Sequence, residues 1–320
     1  MTATTIAELP QTAHIYVRAD GRGDYATIQE AVLSVPENNQ IPTVIHLAPG
    51  VYHEEVVVSG ARPLVTIVGE DPLTTEISYG RYAGMMWENG DPTTTFRTAT
   101  LAVYANHFCM ENVGIRNSYD GSQSGGRQAL ALYASGEHHI YRNCRFYGGQ
   151  DTLYSRDGSH YFERCYIDGD VDFIFGGARA VFYQCEIYCK NPNPEDREKK
   201  GYIAAPSTPA AQRFGLVFME CNITGNMADG MMFLGRPWHP ASDPYYVGMC
   251  VFMRCELGSL IAEAGWKQMG GFQVLTNRLY EYQNYGPGAA SHEMRRQLSD
   301  EEAKEYTPER ILGWTDLGWL

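Results

Sequence analysis

Four short polar patches interrupt segments otherwise rich in strand formers: Gln128-Ala129-Leu130-Ala131-Leu132, Gly149-Gln150-Asp151-Thr152-Leu153-Tyr154, Val171-Asp172-Phe173-Ile174-Phe175-Gly176 and Leu234-Gly235-Arg236-Pro237-Trp238. Asp172 is the most informative of these residues. A carboxylate beside Val, Phe and Ile carries a heavy desolvation cost unless it is paired, and a structural ion pair is the usual reason for one. Asp151 precedes it by 21 residues, and Gln128 precedes Gln150 by 22. If that interval is one turn of a repeating coil, the two carboxyls stand on adjacent strands, about 5 Å apart along the axis. Carboxylates that close do not both ionise readily, so one becomes an acid and the other a base or nucleophile. The two amides are neutral donors suited to a developing oxyanion. Arg236 can keep one Asp ionised through a two-pronged hydrogen bond. Two readings are open on spacing alone, a hydrolytic site or a polar ladder that stabilises a solenoid without doing chemistry.

The elements that must position these residues show themselves as a repeat. Asn143-Cys144-Arg145-Phe146, Arg164-Cys165-Tyr166-Ile167, Gln184-Cys185-Glu186-Ile187, Glu220-Cys221-Asn222-Ile223 and Arg254-Cys255-Glu256-Leu257 each read polar, Cys, polar, apolar, at spacings of 21, 20, 36 and 34 residues. The two longer intervals contain Pro-rich or charged stretches such as Lys190 to Gly201, and Glu111-Asn112-Val113-Gly114-Ile115 reads as an earlier copy. A period of 20 to 25 residues with two-residue alternation inside each unit predicts a parallel β-helix, in which a unit buries its inward residues only by stacking on its neighbours. Its ends need caps. Thr27 to Glu30 is a capping-box pattern, followed by Ile28, Ala31, Val32 and Val35 at helical spacing until Pro36. Ser299 to Glu302 repeats the box, and Thr307-Pro308 opens another short helix. The chain therefore reads as one domain over 1–320, with the motif-bearing core at about 16–287 and a helical tail at 288–320.

Other patterns lead nowhere. Gly21-Arg22-Gly23-Asp24-Tyr25-Ala26 matches a dinucleotide fingerprint but lacks the βαβ setting and the distal acidic residue, and predicts a tight turn. His53-Glu54-Glu55 is not a zinc helix, His138 and His139 point opposite ways on a strand, and there is no G-x-S-x-G elbow. Lys plus Arg number 25 against 38 Asp plus Glu, a net charge of −13, which gives no basic footprint for nucleic acid. No stretch of about 18 apolar residues predicts a membrane span, and Met1 to Val17 shows no signal-peptide pattern, so the expected location is the cytoplasm. The eight cysteines are expected as buried free thiols, with Cys185 and Cys189 the pair to check for a bridge or a metal.

The motifs also carry a resemblance. Gly50-Val51-Tyr52-His53-Glu54, Gln128 to Leu132, Gln150 to Leu153, Asp172 to Gly176 and Leu234 to Trp238 resemble, in order, the five signature motifs of the pectin methylesterases, with further likeness at Thr94 to Thr100 and Ala264-Gly265-Trp266. The likeness runs from about Tyr16 to Pro287. It implies an all-β, right-handed parallel β-helix and a carbohydrate esterase that needs no metal or cofactor. It also implies Asp172 as nucleophile, Asp151 as acid and then base, Gln128 and Gln150 as oxyanion donors, and Arg236 as the residue that orients the nucleophile. Trp238 and Trp266 match positions lining the sugar groove, and Tyr154 and Thr98 join them as substrate-binding candidates. Departures are mild: Leu130 stands where Val is common, Gly177-Ala178-Arg179 replaces Asn-Ala-Ala, and Ile203 to Thr208 resembles bacterial rather than plant members.

The implied partner is methylated galacturonan or an oligogalacturonide, acted on by a monomer with no nucleic acid or membrane involved. The rival expectations are a lyase or glycosidase on the same fold, a thioesterase relative, and a non-catalytic carbohydrate-binding solenoid. The paired glutamines favour an acyl oxyanion over an oxocarbenium ion or a calcium-held carboxylate.

Overall fold

The computed structural model describes residues 12–120 and 127–316. The first eleven positions of the amino-terminal reading and the last four of the tail lie outside the described residues. Every strand pair described is parallel, and successive coils wind into a right-handed β-helix. One face runs through Ala13–Val17, Thr43–Leu47, Val65–Val68, Phe108–Glu111, Leu132–Arg142, Leu153–Glu163, Arg179–Tyr183, Leu216–Met219, Met249–Met253 and Arg278–Tyr282. A second stacks Gly50–Tyr52 through Glu256–Leu257. A third runs from Val56–Val58 and Leu101–Val103 through the leading ends of Leu132–Arg142 and Leu153–Glu163 to Val171–Gly176, Gly201–Pro206 and Met232–Gly235. Those two eleven-residue strands span two faces, with irregular register at their bends.

The repeat frame has a physical cause at each position. The polar residue before each cysteine, Asn143, Arg164, Gln184, Glu220 or Arg254, has φ between 46° and 55°, and Asn112 and Gln283 continue the column. This left-handed residue makes the sharp turn from the first face to the second, where a β-branched residue would be strained. The thiol that follows fills the corner and donates to a carbonyl of the preceding coil: Cys165 Sγ to Tyr141 O at 3.4 Å, Cys185 to Phe162 O at 3.5 Å, Cys221 to Phe182 O at 3.2 Å. Asn284 takes the same place after Cys255, its amide donating to Phe252 O at 3.1 Å. Three residues before each cysteine, Tyr141, Phe162, Phe182, Phe218 and Phe252 form an aromatic ladder with centroids 4.3 to 4.7 Å apart. All eight cysteines are buried as free thiols.

The amino-terminal helix, Ile28–Ser34, is capped by Thr27 and buries Ile28, Ala31 and Val32 against the first coils. At the other end the arrangement differs from a simple helical cap. Glu281 follows Phe252 in register and is closed off by Arg295, whose Nε and Nη2 donate to its two oxygens at 2.8 and 2.7 Å. The short helices Asp300–Ala303 and Pro308–Leu312 fold back along the outer surface of the first face, where Ile311, Leu312 and Trp314 cluster with Val181, Val217 and Val251. Trp314 reaches the middle coils, stacking on His138 and donating to Ser159 Oγ at 2.9 Å.

Candidate active site

The third face gathers the polar patches. Asp151 N donates to Val171 O at 3.1 Å, so Asp151 and Asp172 occupy equivalent positions on successive coils. One coil earlier, Ala129 N donates to Gln150 O at 3.1 Å, which places Gln128 beside the same turn. The predicted one-coil interval therefore holds at both pairs. Gln128, Gln150 and Asp151 are half-buried, and Asp172 is buried.

The strand Val171–Gly176 is irregular at the place that matters. Val171 pairs with Tyr202 and Ile174 with Ala204, so two residues, Asp172 and Phe173, face one residue, Ile203. This bulge, with Asp172 at φ 49°, takes its carboxyl out of the two-residue alternation of the strand. Arg236 meets it there. Nε donates to Asp172 Oδ1 at 2.8 Å and Nη2 to Oδ2 at 2.6 Å, and the guanidinium lies 3.8 Å above the Tyr202 ring. Arg236 is placed by its own backbone, whose N–H donates to Ala204 O at 2.9 Å. The glycine before it is required by close packing: a Cβ on Gly235 would lie 2.4 Å from Ala204 O.

Both carboxyls are raised above the ordinary carboxylate range, by different balances. Burial lifts Asp151 furthest, the negative charge of Asp172 lifts it again, and Arg236 opposes. Burial also raises Asp172, but the two hydrogen bonds and the charge of Arg236 pull it back. Both prongs of the guanidinium go to Asp172, which favours the charged form there over Asp151. Two carboxyls thus stand one coil apart, with the Gln150 carboxamide on the coil of Asp151 and that of Gln128 on the coil before it.

Aromatic side chains floor the surface around them. Tyr133, Tyr154 and Phe175 succeed one another on the outside of the third face with Ala102, Leu130 and Ala205, and Trp238 packs edge-on against Tyr154 and Phe175. Trp238 is half-buried and keeps part of its ring exposed. Tyr154 is 8% exposed, stacked on Phe175 at 4.4 Å, and it supports Trp238 more than it offers a ring of its own.

Two expected substrate contacts are corrected. Trp266 is 1% exposed and lies in the main core, its ring 5.9 Å from Phe252. Its backbone bridges Gly235 and its ring turns inward, so no face remains for a sugar. Thr98 is fully buried. Its hydroxyl donates to Thr95 O at 2.7 Å and accepts from Leu130 N at 3.0 Å, which makes it a strut for the segment carrying Gln128.

Residue spacing gave no sign of Tyr202 or Lys199, because the insertion after Lys190 breaks the coil interval. Asp170 was open to detection as a second carboxylate two residues before Asp172. Among the described residues no group of three or more His, Cys, Asp or Glu side chains gathers as a metal site, and no helix is long and apolar enough to cross a membrane.

Known proteins match along the same span. The family model described as Pectinesterase matches residues 14–314. Pectinesterase 31 of Arabidopsis thaliana is 35% identical over 318 residues, covering 95% of both chains. The pectin methylesterase PemA from Erwinia chrysanthemi superposes with a TM-score of 0.87 at 31% identity, covering 98% of this chain and 99% of that one. A pectin methylesterase mutant in complex with a hexasaccharide gives 0.88 at 30% identity, over 95% and 98%. With a family model spanning nearly the whole chain and a full-length relative at this identity, the chain belongs to the pectinesterase family.

Proposed function

We propose that this pectinesterase removes methyl esters from galacturonan by way of an aspartyl acyl-enzyme. The observation that carries the mechanism is the two-pronged Arg236–Asp172 bond one coil from Asp151, whose carboxyl burial and the charge of Asp172 raise above the ordinary range. Ionised Asp172 attacks the C6 carbonyl of a methyl galacturonate, and Gln128 and Gln150 donate to the oxyanion. As the tetrahedral species collapses, the bond to the methoxy oxygen breaks and Asp151 passes its proton to the departing methanol. Asp151, now a carboxylate, takes a proton from the water that attacks the acyl-aspartate. The sugar leaves as a free acid and Asp172 regains its charge, so protons and electrons balance over the cycle.

The exposed part of Trp238, above the floor of Tyr154 and Phe175, supports a pyranose face against the site. Methylated galacturonan or its oligomers fit this surface, and a complex of a similar enzyme with a hexasaccharide supports a chain-like substrate. Within the family, the Ile203 to Thr208 run supports a place near bacterial members, while identity alone does not separate these from plant members at 35%. Eight buried thiols suit a reducing compartment.

The test is incubation with methylated and demethylated oligogalacturonates, scoring methanol, unsaturated products and new reducing ends. Methanol without chain scission is expected. Scission without methanol would show lyase or glycosidase chemistry instead.

A further inference from the structure

Asp170 has no part in the mechanism above, yet it lies two residues from Asp172 in the connection between the second and third faces. Lys199, from the charged insertion between Lys190 and Gly201, donates to its Oδ2 at 2.6 Å, and the side chains are only 23% and 13% exposed. The other oxygen, Oδ1, is buried with no hydrogen-bond partner among the described residues. It faces the Gly149 turn, where a Cβ on Gly149 would lie 3.7 Å from it, and Gly149 leads directly into Gln150 and Asp151. The main chain fixes this placement from both sides: Asp170 N donates to Gly149 O at 3.2 Å, and Tyr202 N donates to Asp170 O at 3.1 Å. The pair is therefore an oriented dipole with its positive end in the insertion and its negative end against the catalytic turn.

We propose that the Asp170–Lys199 ion pair is a positioning element of the active site, holding a partly compensated negative charge against Asp151 and Asp172 and so setting the pH range in which one is protonated while the other is ionised. The inference rests on the esterase mechanism above. The charged groups around Asp151 are Asp172 on the next coil, Arg236 beyond Met232–Gly235, and Asp170. Those around Asp172 are Arg236 and Asp170. Lys190, at the start of the insertion, is held by Asp168 at 2.9 Å and leaves Lys199 as the cation on Asp170. Asp170 raises both carboxyls, and in this proposal the Lys199 ammonium on its Oδ2 offsets part of that charge.

The experiment titrates the Asp151 carboxyl by 13C NMR, assigned with Asp151→Asn, in wild type, Asp170→Asn, Lys199→Gln and Lys199→Arg, alongside the pH profile of kcat/KM for methanol release. Asp170→Asn should move the Asp151 titration and the alkaline limb to lower pH, lowering kcat/KM on that flank about threefold. Lys199→Gln should move both to higher pH, and Lys199→Arg should match wild type. Unmoved titrations and limbs in both Asp170→Asn and Lys199→Gln, with only a lower Tm, would overturn the proposal and leave a structural ion pair. A moved NMR titration with an unmoved profile would keep the tuning and sink the assignment of Asp151 as the acid, so the two readings fail separately.

Discussion

Asp151 and Asp172 share a backbone conformation as well as a coil position: both are left-handed, at φ 65° and 49°, and the amide of Asp151 is bonded to the carbonyl just before Asp172. Such a conformation costs about 1–2 kcal/mol for a residue with a Cβ, and Asp and Asn bear it better than most. The bond from Asp151 N to Val171 O fixes the two residues on adjacent coils, and the bulge takes the Asp172 carboxyl out of its strand's alternation. Any test of their chemistry must preserve that backbone, which makes Asn the informative replacement.

Asp172→Asn should therefore keep the fold and the bulge while removing the nucleophile, lowering kcat by about 10³-fold or more. Arg236→Lys should lower it by about 10²-fold, since an ammonium cannot make the two parallel bonds or lie flat on Tyr202. Steady-state kinetics with circular dichroism on both variants checks this. Near wild-type turnover by Asp172→Asn would remove Asp172 from the nucleophile's role.

The pH dependence follows from the raised carboxyls. Activity should rise as Asp172 ionises and fall as Asp151 loses its proton, giving a bell whose alkaline limb belongs to Asp151. Stability has a matching sign. A carboxyl raised in the folded state contributes stability below its unfolded pKa, and that contribution is lost as pH rises through the folded value. Asp151→Asn abolishes the contribution and its loss together, so Tm should decline less steeply from about pH 4 upward than in wild type. Thermal melts from acid to neutral pH decide it, and parallel curves for the two proteins would show that Asp151 is not held protonated.

The repeat was legible because its two constraints are chemical: a left-handed corner that favours polar residues, and a small buried donor after it. Where coils have the minimum length, as between Cys144 and Cys185, residue intervals translate into strand neighbours and the Asp151/Asp172 pair can be read off. Beyond Lys190 the insertion destroys that arithmetic, so only its motif marks Arg236, and nothing in the residue intervals marks Tyr202 or Lys199. The bulge at Asp172 has no residue signature, since Val, Asp, Phe and Ile would suit a regular strand. Trp266 failed differently: a Trp after Gly in a polar setting reads alike whether its ring turns to the groove or, as here, into the core.

The two tryptophans should separate cleanly on mutation. Trp238→Ala should raise KM several-fold with little change in Tm, because part of its ring is exposed above Tyr154 and Phe175. Trp266→Ala should cost about 3–5 kcal/mol of stability through loss of buried ring packing, with KM nearly unchanged in whatever remains folded. Urea denaturation alongside kinetics measures both. A selective KM defect in Trp266→Ala would show that its ring reaches the substrate after all.

Thiol chemistry checks the cysteine column. The eight thiols should be nearly unreactive in the native protein and titrate in full once it is denatured without reductant. Cys221→Ala removes a donor to Phe182 O as well as a buried atom, and should destabilise by about 1–3 kcal/mol. Recovery of only some thiols from unreduced protein would indicate bridges and an oxidising compartment.

The end of the solenoid offers the last test. The aromatic ladder stops at Phe252, and in the next coil its place is taken by Glu281, a buried carboxylate whose two oxygens face Nε and Nη2 of Arg295. Asn284 adds a third bond to Glu281 at 3.0 Å, and Arg295 Nη1 donates to Gly288 O at 2.8 Å, so most of the pair's hydrogen-bonding capacity is met inside the protein. Removing one partner strands a buried charge, and either Glu281→Leu or Arg295→Met should cost about 3–5 kcal/mol. Replacing both removes the desolvation cost with the attraction, so the double variant should be more stable than either single one, with a coupling free energy of about 2 kcal/mol or more. The proposed active site lies on another face and several coils away, and methanol release by the folded double variant should match wild type. If instead the double variant lost the sum of the two single costs, the ion pair would not act as a unit, and the cap would have to be credited to the packing of the tail.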